Sequence, residues 1–119
     1  MQRLDKIFTK KKPIIGMVHL RPLPGSPLYD PASMGMKKIL ETAKEEAKML
    51  EDAGVDGVQV ENMWDIPYLQ GEKIGPETVA AVAVGVYEVA NSVSHPVGAE
   101  IHMNRADKAL ARAVASGGR

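Results

Sequence analysis

Three short apolar runs, spaced by helix-length segments, constrain this chain more than any other feature. The first starts at Pro13 and reads Ile14-Ile15-Gly16-Met17-Val18 before His19-Leu20; the second covers residues 55–61 and the third 96–103. Each is short and rich in β-branched residues, with Pro or Gly at or near its ends, which is how buried strands read. Between the first two, a helix is expected over residues 33–53. Met36, Ile39, Leu40, Ala43, Ala47 and Leu50 fall on one face of it. Lys37, Lys38, Glu41, Lys44, Glu45, Lys48 and Glu51 fall on the other, as a solvated face. Gly54 stands where a left-handed cap ends such a helix.

A second helix is expected over residues 76–92. Pro76 and Glu77 suit its first turn. It is apolar nearly all round, which predicts burial on more than one side. Asn104 can cap a third helix over 105–115, which Gly117-Gly118 can end. The order β-α-β-α-β-α predicts parallel strands with right-handed crossovers. Gly16, Gly57 and Gly98 recur at an even spacing of 41 residues, and an even βα repeat favours a (β/α)8 TIM-type barrel over a doubly wound sheet. No GxGxxG or GxxxxGK[ST] follows a strand, so a dinucleotide or P-loop site has no support. The fold class expected is therefore α/β, a barrel represented by about three βα units.

Composition narrows the function. The chain is 45% hydrophobic and 25% charged, enough to build a core rather than a disordered segment. Its formal net charge is zero, which argues against a dedicated nucleic-acid binder. It has no Cys, hence no disulfide framework and no thiolate metal site. No run approaches the roughly 18–20 apolar residues of a membrane span. Residues 1–12 read as a basic tail or a short amphipathic helix with Leu4, Ile7 and Phe8, followed by one domain over 13–119. A reducing, cytoplasmic compartment is expected, with an organelle such as the mitochondrion as the alternative that the basic amino terminus raises.

The candidate site follows from strand alternation. In the third run Gly98, Glu100, His102 and Asn104 share one face and Val97, Ala99, Ile101 and Met103 the other; in the second, Gln59 and Glu61 oppose Val58 and Val60. A barrel strand turns an apolar face to its helices, so Gln59, Glu61, Glu100 and His102 should point inward. Glu61 and His102 then lie near the carboxyl ends, where such barrels place their sites. His19 is placed inward because an imidazole against the helices would be poorly satisfied. Two chemistries stay open. Glu61, Glu100 and His102 could hold a divalent metal. Glu61 and His102 could instead share acid–base work, and the bland alternative is that the set consists of satisfied polar residues in a barrel core. Past the first strand, RPLPGSPLYDP carries four prolines in eleven residues and must be a long loop. Arg21 in it suits a phosphate or carboxylate. Trp64, Asp65 and Tyr68 lie past the second strand on the same rim, where an aromatic stacks on a ligand or covers the barrel mouth. His95, at the opposite end, reads as structural.

PIIGMVHLRPLPGSP (residues 13–27), AGVDGVQVEN with Asp65-Ile66-Pro67, and PETVAAVAV with PVGAEIHMNRADKALARAVASGG together resemble the BtpA family, which includes SgcQ-like proteins. The likeness covers nearly the whole chain after Lys12. It implies a (β/α)8 barrel of the phosphate-binding, aldolase-like kind. It implies either an enzyme acting on a small phosphorylated or sugar-like ligand or, as the family's cyanobacterial association with photosystem I suggests, a non-catalytic accessory factor for a membrane protein complex. The resemblance supplies no catalytic residue set, so the site rests on position: Glu61 and His102 as acid–base groups, with His19, Arg21, Asn62, Asp65 and Asn104 contacting ligand. This chain has Glu100 and His102 where the family pattern has an amide and an apolar residue, which shifts weight toward Glu61, Asn62 and Asn104. A whole barrel needs about 250 residues. The 119 residues here are thus expected to be a truncated portion, inactive alone, with self-association as a further route to covering its open edges.

Overall fold

The computed structural model describes residues 4–66 and 73–100. After a 3-10 turn at Leu4–Lys6 come strand β1 (Ile15–His19), helix α1 (Met36–Asp52), strand β2 (Gly57–Glu61), helix α2 (Pro76–Ala90) and strand β3 (Val97–Glu100). The strands form one sheet in the order β1-β2-β3, with both pairs parallel. The chain is thus a mixed α/β structure, as the alternating runs predict. The expected third helix, His102 and Asn104 lie outside the described residues.

One face of the sheet is dry. Val18, Val58, Val60 and Val97 pack with Leu20 and Leu23 against Ile39, Ala43 and Ala47 of α1 and Ala81, Val82, Val86 and Val89 of α2. The helical spacing of these residues makes the stripe that covers the sheet. Lys44 and Glu88 then pair at 3.4 Å between the two helices. The other face of the sheet is open at Ile15 and Met17, which are exposed. Helix α2 departs from expectation. Its buried residues, Thr78, Ala81, Val82, Gly85, Val86 and Val89, form one face, while Val84 and Tyr87 are exposed. Its uniform apolarity signals a second apolar surface, not a second contact among the described residues.

The elements begin later than the hydrophobic pattern suggests, for local reasons. Helix α1 starts at Met36 rather than residue 33 because Asp30 claims the preceding residues for a turn. Its carboxylate accepts the Ala32 N–H and the Ser33 hydroxyl, and its carbonyl accepts the Met34 N–H. Strand β2 starts at Gly57 because the Val55 N–H closes the end of α1 on the Leu50 carbonyl. Gly54 takes φ +99° there, which an L side chain adopts only under strain. Gly54→Ala is expected to lower stability by about 1 kcal/mol, read as a lower urea midpoint with an unchanged slope.

The amino-terminal residues also do more than the basic composition suggested. Among the described residues of this segment only Leu4–Lys6 is helical, as 3-10. Ile7 and Phe8 are half-buried and line a cavity of about 150 Å³ with Ile15, Gly57, Pro96 and Val97. A Cβ at Gly57 would meet the Phe8 ring at 3.0 Å and the Pro96 carbonyl at 3.1 Å, so glycine there leaves the space the ring occupies. Lys10 pairs with Asp56 at 3.0 Å. Asp56 also accepts the Ile14 N–H, and that bond, with Lys10, holds its carboxyl below the usual range. This segment is fastened under the amino ends of the strands.

Candidate functional site

The carboxyl ends of the strands gather the polar groups. In the parallel register Met17 lies beside Gln59 and His19 beside Glu61, while Gly98 lies beside Gln59 and Glu100 beside Glu61. All of these face away from the helices. Gly16 does not share their face. A Cβ there would run into the Leu50 side chain of α1 at 2.9 Å. The even spacing of Gly16, Gly57 and Gly98 is therefore not the strand register: Gly57 pairs with Ile15, and Gly98 with Gln59. Stagger between the strands accounts for the difference, and it is what brings His19 beside Glu61 on the face away from the helices.

The His19 imidazole meets Glu61 with Nε2 3.0 Å from Oε1. Glu61 is buried, whereas the His19 side chain keeps 37% of its surface accessible. The Glu61 carbonyl accepts the Leu20 N–H, extending the β1–β2 ladder one residue past the strand. One strand further, Gln59 donates from Nε2 to Glu100 Oε2 at 2.8 Å. That amide gives the Glu100 carboxylate a donor, as burial of a charged group requires.

Two connections close over this edge. Asn62 and Asp65 are buried. Asp65 Oδ1 accepts the Leu23 N–H at 2.8 Å and Oδ2 accepts Asn62 Nδ2 at 3.2 Å. One carboxylate thus ties the proline-rich β1–α1 connection to the turn after β2. Burial pushes the Asp65 carboxyl up from its ordinary range, while the bonds from Leu23 and Asn62 act the other way. Arg21 donates to Glu46 Oε1 at 2.8 Å and to the His19 carbonyl at 3.3 Å, with its guanidinium 5.8 Å from the centre of the Trp64 ring. Trp64 remains 46% exposed. The Glu77 carboxylate turns back over Gly75 at the start of α2, in space a Cβ on Gly75 would need, and also approaches Gly25. A negative group already occupies that helix end, where an anion would otherwise be favoured.

Of the residues the sequence singles out, Glu61, His19 and Glu100 come to one edge on one face, and Arg21, Asn62, Asp65 and Trp64 to the loops around it. Arg21 and Asp65 arrive already paired with protein groups. Among the described residues no group of three His, Asp or Glu could hold a metal ion; the set that includes His102 lies partly outside them. His95 sits at the other end, 3.8 Å from Glu51. Two participants escape a sequence reading. Glu46 belongs to neither the apolar stripe of α1 nor its solvated face, and that boundary position, beside the buried Ala47, was the available signal. Glu77 reads as a helix-start residue, and its reach to Gly25 depends on how the loops fold.

A parallel βαβαβ unit with a dry helix-covered face and its acids and imidazole at the strands' carboxyl ends defines a protein of the mixed α/β class. The chain belongs to the BtpA family, whose family model matches residues 10–119. It is 45% identical over 98 residues to an uncharacterized protein of Methanocaldococcus jannaschii, covering 82% of this chain and 35% of that one. It is 35% identical over 101 residues to the putative sgc region protein SgcQ of Escherichia coli, covering 85% of this chain and 37% of that one. It is 37% identical over 108 residues to the photosystem I biogenesis protein BtpA of Synechocystis, covering 91% of this chain and 36% of that one. The chain therefore spans little more than a third of the length of these relatives. No solved structure matches it. No helix among the described residues is long and apolar enough to cross a membrane.

Proposed function

We propose that this unit is part of a (β/α)8 barrel whose carboxyl edge, centred on His19 and Glu61, binds a small sugar-like or phosphorylated ligand and performs acid–base chemistry on it. The observation that carries this reading is the 3.0 Å contact between His19 Nε2 and Glu61 Oε1 at the carboxyl ends of adjacent parallel strands. Barrels of this kind build their sites there. The open inner face at Ile15 and Met17 and the greater length of the relatives support the barrel. In the neutral imidazole a carboxylate at Nε2 selects the Nε2–H tautomer and leaves Nδ1 as the acceptor. Glu61 then orients the ring and steadies the imidazolium formed when Nδ1 takes a proton. His19, the more accessible partner, is the acid–base group, and Glu61 its buried support. On the sequence alternation alone, His102 is assigned as a second acid–base group and Asn104 as a ligand contact. Asp65, with both oxygens on protein donors, positions the loops.

A panel of sugars, sugar phosphates and divalent cations, read by shift in melting temperature, tests the reading. In the whole barrel, His19→Asn is expected to keep the fold and to lower turnover of the responding ligand by about 10²–10⁴-fold, the range of a lost acid–base group. No response to any member of the panel would contradict it. A second reading rests on the name of the Synechocystis relative, a photosystem I biogenesis protein: an accessory factor that stabilises a membrane protein complex. Under that reading Glu61→Gln and His19→Asn would leave complex accumulation unchanged.

A further inference from the structure

We propose that Trp64 is the ring-stacking subsite of this edge, taking the carbon face of a sugar ring rather than a phosphate group. This rests on the ligand-site reading above and names the part of the ligand that the described residues would recognise. Trp64 stands between two anchored residues. Asn62 and Asp65 are buried and joined to each other, the Asp65 N–H bonds the Asn62 carbonyl, and Asp65 grips the Leu23 N–H across the edge. A turn fastened in this way does not need a large exposed aromatic to hold it, yet nearly half of the Trp64 surface is open to solvent. The ring also has a cationic neighbour. Arg21 lies 5.8 Å from its centre and is itself held by Glu46 and by the carbonyl of His19, the residue that contacts Glu61.

A rigid, amphipathic, partly exposed ring beside acid–base groups is suited to ligand stacking, because little conformational entropy is lost when it is used. Charge decides what stacks. Glu46 already neutralises Arg21, and the Glu77 carboxylate already sits at the start of α2. Both lower the attraction of this rim for a phosphate. A neutral hydroxylated ring loses nothing there: its C–H face meets the indole, and its hydroxyls can bond polar groups of the edge.

Trp64 is the sole tryptophan of the chain, so its emission reports the proposed contact directly. The full chain is titrated with D-glucose, D-ribose, glucose 6-phosphate, ribose 5-phosphate and inorganic phosphate, following emission and melting temperature in parallel. The expected result is a saturable emission change with at least one sugar and with its phosphate ester, and none with inorganic phosphate. Trp64→Phe should keep most of the affinity measured by calorimetry, and Trp64→Ala should weaken it about tenfold, while urea unfolding stays within error for both. A sugar that raises the melting temperature without altering the emission, or that binds Trp64→Ala as tightly as the wild type, overturns the stacking subsite and leaves the wider reading standing. A response to inorganic phosphate equal to that for the esters also overturns it. Flat emission together with flat melting temperatures overturns both.

Discussion

Replacing Leu23 with Ala is expected to lower the unfolding free energy by about 2–5 kcal/mol, the range for truncating a buried leucine. The size is unusual for a residue in a proline-rich loop, and it follows from burial. Leu23 has no exposed surface and belongs to the same cluster as Val18, Val60, Ile39 and Val82. Loop residues normally ride over the core, and their truncation costs little. Here the connection dips into the core between two strands' ends and rises again at Gly25, which takes φ +96°. Urea unfolding of Leu23→Ala checks this. A midpoint equal to that of the wild type would mean that the loop does not seat Leu23 in the core.

Asp65→Ala is expected to cost about 2–3 kcal/mol, because it leaves the Leu23 N–H and the Asn62 amide without their acceptor. Hydrogen exchange at the Leu23 amide should accelerate markedly. Leu23→Ala and Asp65→Ala release the same loop, one through its side chain and the other through its backbone, so the double variant should lose less than the sum of the two. The pH dependence has a definite sign. Burial raises the folded Asp65 value above the unfolded one, near 3.9 for an ordinary aspartate. The native state therefore holds this proton to higher pH than the unfolded state does. The stabilisation this gives is full below the unfolded value and is lost as pH rises through the raised folded value. The stability of the wild type relative to Asp65→Asn should accordingly fall as pH rises from about 3 toward neutrality. Glu51 behaves oppositely. The Ser94 hydroxyl and N–H hold its carboxyl low, so its contribution is lost on acidification, but it is common to both proteins and cancels in the comparison. A relative stability that grows with pH would show the Asp65 charge to be favoured by its surroundings.

Much of the architecture was legible because it depends on periodicity. The stripe Ile39, Ala43, Ala47 and the alternation of Val58 and Val60 with Gln59 and Glu61 fix which faces meet, and these are the faces the structure buries. The placement of Glu61 on the face opposite Val58 and Val60 follows from the same alternation. What was not legible depends on pairing across the chain. Stagger between strands is absent from local pattern, so the spacing of Gly16, Gly57 and Gly98 suggested a register that the sheet does not use. Helix α2 reads as buried all round because composition records how apolar a surface is, not whether anything covers it. Asp65 looked like a ligand group because a polar residue past a strand end is chemically available until its partners are known. The Leu23 N–H that occupies it lies 42 residues away. The partner of Arg21 is hidden from local pattern in the same way, since Glu46 approaches it only after α1 packs against β1.

The account stands on the edge formed by His19 and Glu61, and the most direct measurement is the ligand-dependent melting temperature of the wild type beside Glu61→Gln and His19→Asn. The panel is the same set of sugars and sugar phosphates, and each variant is first shown to unfold in urea as the wild type does. The account predicts that at least one ligand raises the wild-type melting temperature and that both substitutions reduce or abolish the rise. A rise of equal size in all three proteins would place the ligand elsewhere and contradict it.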